Sequence, residues 1–403
     1  MSTLLLTHTA SSLNHKVSEG HPERPDRIRA MEKALSQDIF KPLVREEAPM
    51  GDIETVKLCH DESYVDEIRE MSPKQGIVYI DGDTMMSPGT WEAAMRGVGG
   101  ANAGVDAVVS GKAQNVFVGT RPCGHHAERN RAMGFCIFDQ AAIAARYAQT
   151  KHGIGRVAVV DFDVHHGNGS QDIFWADPTV MYCSTHQMPL FPGTGATQER
   201  GEHDTIVNAP MHPGDGGTIF RQAFEGVILP QLQKFSPELI IISAGFDAHW
   251  RDPLANIQLD EKDFGWVTKK LMDVADKSAG GRIVSVLEGG YDLQGLHDSI
   301  VEHVFKKRHR IDRGTLYGHQ HPSRHQDDDV RARNRGTRNH RQASGRRQGA
   351  AGRIGRDLRA WRDAEASLRG TVAARRGTRG QDHHGRHRRA RGHRAARRAL
   401  RAL

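Results

Sequence analysis
What the chain lacks narrows its class before any motif is considered. No stretch approaches the roughly 20 consecutive apolar residues that a membrane helix needs. Only 37% of the 403 residues are hydrophobic, and the mean hydropathy is −0.59. The opening MSTLLLTHTASS has neither the basic flank nor the apolar length of a secretory leader. The four cysteines, Cys59, Cys123, Cys136 and Cys183, are scattered without CxxC spacing. That argues against a disulfide framework and against structural zinc. A soluble, cytoplasmic protein with no membrane partner is the expectation.

Lysine is missing too, but from one region only: none follows Lys307. Residues 1–305 carry 27 Lys+Arg against 41 Asp+Glu, a formal charge of −14. Residues 306–403 carry 27 Arg and 2 Lys against 8 acids, a formal charge of +21. The pI near 9.3 therefore belongs to the tail, and the body is acidic. Among those last 98 residues only 11 are Val, Ile, Leu, Met, Phe, Trp, Tyr or Cys, too few to bury a core. We expect one catalytic domain over 1–305 and an unstructured Arg-rich tail over 306–403. An arginine-rich arm could grip nucleic-acid phosphates. A frameshifted translation of GC-rich DNA explains the composition better, because arginine's CGN codons are GC-rich, lysine's are not, and the change begins abruptly inside what should be the last helix. Nucleic acid is thus a partner only if the tail is genuine. The acidic body favours cationic substrates through long-range steering.

Within 1–305, short runs rich in β-branched residues alternate with helical patterns. Strands are predicted at Thr3–Thr7, Asn115–Gly119, Arg156–Asp163, Val180–Thr185, Thr205–Ala209, Glu238–Ala244 and Arg282–Leu287. They read as continuous apolar runs such as VAVVDF and LIIISAG, the pattern of strands buried on both faces, so the sheet should be mostly parallel. Helices are predicted near Pro25–Leu35, Gly89–Ser110, Gln140–His152, Gly217–Lys234, Glu261–Ala279 and Leu293–Phe305. The order points to a single α/β domain, an open, mostly parallel sheet with helices on both faces.

Ligands of such sheets bind beyond the carboxyl ends of the strands, and there the polar residues fall. Asp161-Phe-Asp163-Val-His165-His166 ends one strand. Residues two apart share a side, so Asp161, Asp163 and His165 could face one cation, with Asp247 of SAGFDAH as a further ligand. Hard carboxylates with an imidazole suit Zn²⁺ or Fe²⁺, and three protein ligands leave a coordination position open for chemistry. A strand-end Asp can equally cap a helix. His125 and His126 in RPCGHHA suit a general base and an electrostatic partner. Tyr291, after Gly289-Gly290, could donate to an oxyanion.

These segments together resemble the histone deacetylase superfamily, nearest its class II and bacterial deacetylase-like amidohydrolase branch, which includes acetylpolyamine amidohydrolases. The matching stretches are GHPERPDRI (20–28), RPCGHHA (121–127), MGFCIFD (133–139), VDFDVHHGNGSQDIF (160–174), STHQMPLFPGTG (184–195), SAGFDAHWRDPLA (243–255) and LEGGYDL (287–293). The resemblance implies an arginase-deacetylase α/β fold and a zinc-dependent deacetylase that frees an amine from an acetylated lysine or polyamine. It implies Asp163, His165 and Asp247 as metal ligands and His126 as the base that takes a proton from the attacking water. His125 with Asp161 would be its electrostatic partner, Asn168 would stand behind the second histidine as in class II, and Tyr291 would be the oxyanion donor. Phe135 and Phe191 would wall a tunnel, with Gly134 and Leu254 also lining it and Asp83 at the rim. Asp161, Asp163, His165, Ser184 and Thr185 would hold a monovalent cation, usually K⁺.

Cys123 departs from the family's usual Pro, placing a thiol near the metal. An arginase-like ureohydrolase with two Mn²⁺ ions is the rival, but Gly167 stands two beyond His165, where a second bridging acid would be needed. An acyl-lysine reader without catalysis is disfavoured by the full ligand set. The sequence is compatible with an oligomer.

Overall fold
A computed structural model describes residues 3–308. The expectations for the tail beyond Arg308 fall outside the described residues. Among the described residues there are ten strands: β1 Thr3–Thr7, β2 Val44–Glu47, β3 Val78–Tyr79, β4 Met85–Met86, β5 Asn115–Val118, β6 Val157–Asp161, β7 Val180–Gln187, β8 Ile206–Met211, β9 Leu239–Ala244 and β10 Ile283–Leu287. Eight form one sheet in the order β2-β1-β5-β10-β9-β6-β7-β8. Every pairing in it is parallel. β3 and β4 form a separate antiparallel pair.

The apolar runs work as the pleat requires, sending alternate residues to opposite faces. Val157, Val159, Leu239, Ile241, Val284 and Val286 join one core with residues of the helices Thr90–Val109 and Gln140–His152. Ala158, Val160, Ile240, Ile242 and Ile283 join the other, with residues of the helices Asp26–Leu35, Glu261–Ser278 and Leu293–Arg308. Both faces are therefore covered, as a parallel sheet demands. Local signals set the helix ends. Asp260 makes a capping box at the start of Glu261–Ser278, and Gly153, at φ 66°, ends Gln140–His152 in the left-handed conformation.

One predicted helix is broken. Gly217–Lys234 divides into Gly217–Ala223, a wide π turn over Phe224–Ile228, and Leu229–Phe235. Pro230 has no N–H to continue the α ladder, and the wide turn takes up the mismatch. Among the described residues no helix is long and apolar enough to cross a membrane.

Four strands at the centre of the sheet, β5, β10, β9 and β6, are consecutive neighbours. Because they are parallel, the loops after Val118, Leu287, Ala244 and Asp161 leave from the same edge. Residues far apart in sequence are delivered to one place by this topology alone.

Candidate active site
At that edge Asp163, His165 and Asp247 each present a ligand atom, all within 4.8 Å of one another and all buried. His165 Nδ1 lies 3.2 Å from Asp163 Oδ1 and 3.0 Å from Asp247 Oδ2. Backbone amides hold the carboxylates in place: Gly289 N donates to Asp163 Oδ2 at 2.8 Å and Val164 N to Asp247 Oδ1 at 2.8 Å. Space matters as well. A Cβ at Gly245 would collide with the Asp163 carboxylate, and one at Gly289 with both Asp163 and Asp247. The glycines of SAGFD and EGGY are thus a cradle for two acids.

The electrostatics of this triangle are those of a cation site. Burial opposes the Asp163 anion, but the charges of His125 and His165 outweigh it and hold the carboxyl far below its ordinary range. Burial and the neighbouring Asp163 push Asp247 up to about 7. Burial opposes the His165 cation too, yet its two carboxylate partners raise it to about 10. Two carboxylates and one imidazole converging in a dry pocket fit a divalent metal of borderline hardness.

Asp161 is placed differently from the expectation that it shares a face with Asp163 and His165 toward one cation. Its Oδ2 accepts from His125 Nδ1 at 2.9 Å and from the Tyr182 hydroxyl at 3.0 Å, and its Oδ1 accepts from Asp163 N at 3.0 Å. The strand ends at Asp161, so its twofold alternation does not continue into the loop that carries Asp163 and His165.

The two adjacent histidines have different partners. His126 Nδ1 lies 2.9 Å from Asn168 Oδ1. The Asn168 amide is oriented by Nδ2, which donates to Glu128 Oε1 at 2.7 Å. An amide oxygen only accepts, so the His126 proton sits on Nδ1 and its Nε2 is free to take another. Burial and the positive charges of His125 and His165 lower the His126 pKa well below the ordinary value. For His125, burial works against the charge, but Asp161 and Asp163 overcome it and raise the pKa. The ring centroids are 4.0 Å apart.

A cavity of about 220 Å³ opens onto this cluster, lined by Asp83, His126, Gly134, Phe135, His165, Leu190, Phe191, Leu254 and Tyr291. Phe135 has φ 71°, unusual for an aromatic residue. Its N–H donates to Thr84 Oγ1 at 3.0 Å, which pins it. A Cβ on Gly134 would come within 2.5 Å of His126 Cδ2, so only glycine fits there. Tyr291 is buried, its ring 5.8 Å from Phe135 and under the Arg27 guanidinium at 5.1 Å. Burial and acidic neighbours push its phenol well above the ordinary range, which leaves it a donor.

Ser184 pairs with Asp161 in register, and Thr185 follows it. Ser184 and Thr185 are buried, Ser243 pairs with Asp161 from β9, and Thr185 Oγ1 and Ser243 Oγ lack hydrogen-bond partners among the described residues.

Several residues here had no assigned role in the sequence. Glu23 and Arg121 form a fully buried pair, with Arg121 Nε and Nη2 each 2.5 Å from the Glu23 carboxylate. Arg27 Nη1 donates to Glu23 at 2.9 Å, and its Nε donates to Gly290 O at 2.7 Å. Glu288 Oε2 accepts from Gly124 N at 2.7 Å and His125 N at 3.3 Å. Asp252 Oδ2 accepts from Tyr291 N at 2.7 Å. The only signal for Glu23 and Arg27 was the charged motif GHPERPDRI itself, which holds both of them four residues apart.

Comparison with known proteins places the chain among relatives of one kind. The family profile described as "Histone deacetylase domain" matches residues 21–307. The chain is 38% identical to the histone deacetylase-like amidohydrolase of Pseudomonas aeruginosa, over 68% of this chain and 73% of that one. It is 36% identical to histone deacetylase 14, chloroplastic, of Arabidopsis thaliana, over 74% and 75% of the two chains. The crystal structure of the HDA15 HD domain superposes with a TM-score of 0.71 at 33% identity, covering 75% of this chain and 88% of that one.

Proposed function
Since this chain belongs to the histone deacetylase family and is a hydrolase acting on amides, we propose that it is a zinc-dependent deacetylase of an acetylated lysine side chain or polyamine. The observation that carries the reading is the placement of a base against a cation site. His126, its free Nε2 fixed by the Asn168 amide, and the Asp163-His165-Asp247 triangle meet at a cavity walled by Phe135 and Phe191.

Asp163, His165 and Asp247 would hold the Zn²⁺, which would supply Lewis-acid polarisation of the amide and lower the pKa of water. The chain's own groups do the rest. Phe135, Phe191, Leu190 and Leu254 clasp an unbranched methylene chain and keep water out, and Asp83 meets the substrate at the rim. His126 Nε2 accepts a proton from the attacking water and returns it to the departing amine. The charged pair of His125 and Asp161 stays fixed beside it. Tyr291 Oη donates to the oxyanion as the carbonyl becomes tetrahedral. The bond between acyl carbon and nitrogen then breaks, giving acetate and a free amine.

The orphaned hydroxyl oxygens of Thr185 and Ser243 support a monovalent cation, K⁺, beside Asp161, with Asp163, His165, Ser184 and Thr185 contributing oxygens. Buried polar atoms left unpaired commonly mark an ion or water.

The test is turnover of acetyl-lysine peptides beside acetylpolyamines, with metal analysis on the same preparation. One zinc per chain with release of acetate is expected. Fully loaded protein that turns over neither class, or two metals per chain at this cluster, would overturn the reading.

A further inference from the structure
A second group of metal-ligating side chains lies beside the catalytic loops. Cys123 Sγ, Cys136 Sγ and a Glu288 carboxylate oxygen fall within 4.8 Å of one another. All three residues are buried, at 2%, 0% and 1% exposure. Both thiols are free, and the sulfurs are 3.3 Å apart.

We propose that Cys123, Cys136 and Glu288 form a site for a soft, thiophilic cation, and that its occupancy switches the neighbouring centre off. The second half rests on the proposed deacetylase reading; the first does not.

Geometry favours a cation over a disulfide. Two thiolates at about 2.3 Å from a tetrahedral ion stand roughly 3.8 Å apart, so the sulfurs need to part by only about half an ångström. A disulfide, at about 2.05 Å, needs them to close by more than 1 Å. The carboxylate gives a third ligand, and water or an external thiol can fill the fourth position. The charges suit it as well: two thiolates and a carboxylate are balanced by a divalent ion together with Arg27, which is close enough to Cys123 to feel its charge.

Occupancy reaches the chemistry through two loops. Cys136 follows Phe135, which walls the cavity. Cys123 precedes Gly124 and His125, whose amides are held by Glu288 Oε2. An ion that takes a Glu288 oxygen pulls on the carboxylate that holds those amides and shifts the histidine loop against the tunnel wall. A displacement of about 1 Å at reacting groups costs on the order of a hundredfold, so a loss of at least about tenfold is expected.

The probe is Cd²⁺, added to protein already carrying its catalytic metal, in a reductant that does not bind the ion. Thiolate coordination gives a near-ultraviolet charge-transfer band, and the Asp163-His165-Asp247 site, having no sulfur, cannot produce it. The expected result is a band that saturates at one added Cd²⁺ per chain and disappears in Cys123→Ser and in Cys136→Ala. Turnover of the wild type should fall with the same midpoint, while each variant keeps its own cation-free rate at that concentration. The absence of a band, or a band surviving in both variants, overturns the site. A band without loss of turnover overturns the switch. A disulfide, seen as two thiols lost in air and regained on reduction with no band beforehand, overturns the cation reading. Should the protein turn over no acyl substrate, the deacetylase reading fails and the band still decides the site. The wild-type titration alone remains decisive if a variant does not fold.

Discussion

Replacing Tyr291 by phenylalanine isolates one oxygen atom. The ring's surroundings are apolar or aim at its face, with Phe135 at 5.8 Å and Arg27 at 5.1 Å. The loop is fixed by main-chain bonds from Tyr291 N to Asp252 and from Arg27 to Gly290 O. None of these uses the hydroxyl, so Tyr291→Phe should fold and pack as the wild type does. In the proposed mechanism, what it loses is a donor to the oxyanion. One such donor is worth about 2.7–4 kcal/mol of transition-state stabilisation, or 10²–10³ in kcat. The assay is steady-state acetate release from an acetyl-lysine peptide, with metal content and thermal unfolding measured alongside. The expectation is kcat lower by about a hundredfold or more, with zinc per chain and Tm unchanged. A kcat within about threefold of wild type would remove Tyr291 from the chemistry. A fall in kcat accompanied by metal loss would make its role structural.

Three further perturbations test other links. Gly289→Ala puts a Cβ into the Asp163 and Asp247 carboxylates, so zinc per chain should drop sharply. Gly82→Ala, where a Cβ meets nothing within 4 Å, serves as the control, and equal metal content in the two would refute the cradle argument. Glu23→Gln leaves Arg121 and Arg27 buried without their counter-charge, which should cost about 3–5 kcal/mol in denaturant unfolding; a loss under about 1 kcal/mol would contradict it. His60 is buried, its Nε2 accepting from Asp139 N at 2.9 Å and its Nδ1 donating to Glu128 O at 3.0 Å, and burial lowers its pKa to about 4. A folded value below the unfolded ~6.5 means that stability is full above pH 6.5 and is lost as pH falls from there through 4, about 3 kcal/mol in all. His60→Gln should lose less stability than wild type between pH 7 and 4, and parallel pH curves for the two proteins would refute the assignment.

The sheet was legible because its strands are buried on both faces. All seven strands read from apolar runs occur within about two residues of their expected ends. β2, whose sequence VREE is exposed along its length, carries no such run and was missed. β3 and β4, two residues each, are too short to leave a period. The Asp163-His165-Asp247 triangle and both histidines lay in segments at strand ends, where parallel topology decides what meets. Strand alternation misplaced the Asp161 side chain, because it holds only while the strand lasts, whereas the resemblance paired Asp161 with His125, the partner it has here at 2.9 Å. The Glu23–Arg121–Arg27 network was not legible. Glu23 and Arg121 lie 98 residues apart, and no periodicity links a loop near residue 23 to the histidine loop.

The neighbouring histidines show how such distant partners decide chemistry. His125 and His126 share residue type, burial and loop, so burial alone would lower both. The pKa values diverge because His125 meets a carboxylate, Asp161, and His126 meets an amide, Asn168. A carboxylate stabilises the imidazolium, whereas the amide oxygen fixes the tautomer without adding a charge. The cation on His125 then discourages a second one 4.0 Å away. One histidine is held charged, and the other is held neutral with its acceptor nitrogen free. A base must begin neutral to be useful, so this arrangement supports the proposal that proton transfer falls to His126, with His125 as the fixed charge beside it. The choice between them is made at positions 161 and 168, on the strand and helix flanking the metal loop, not within the histidine pair.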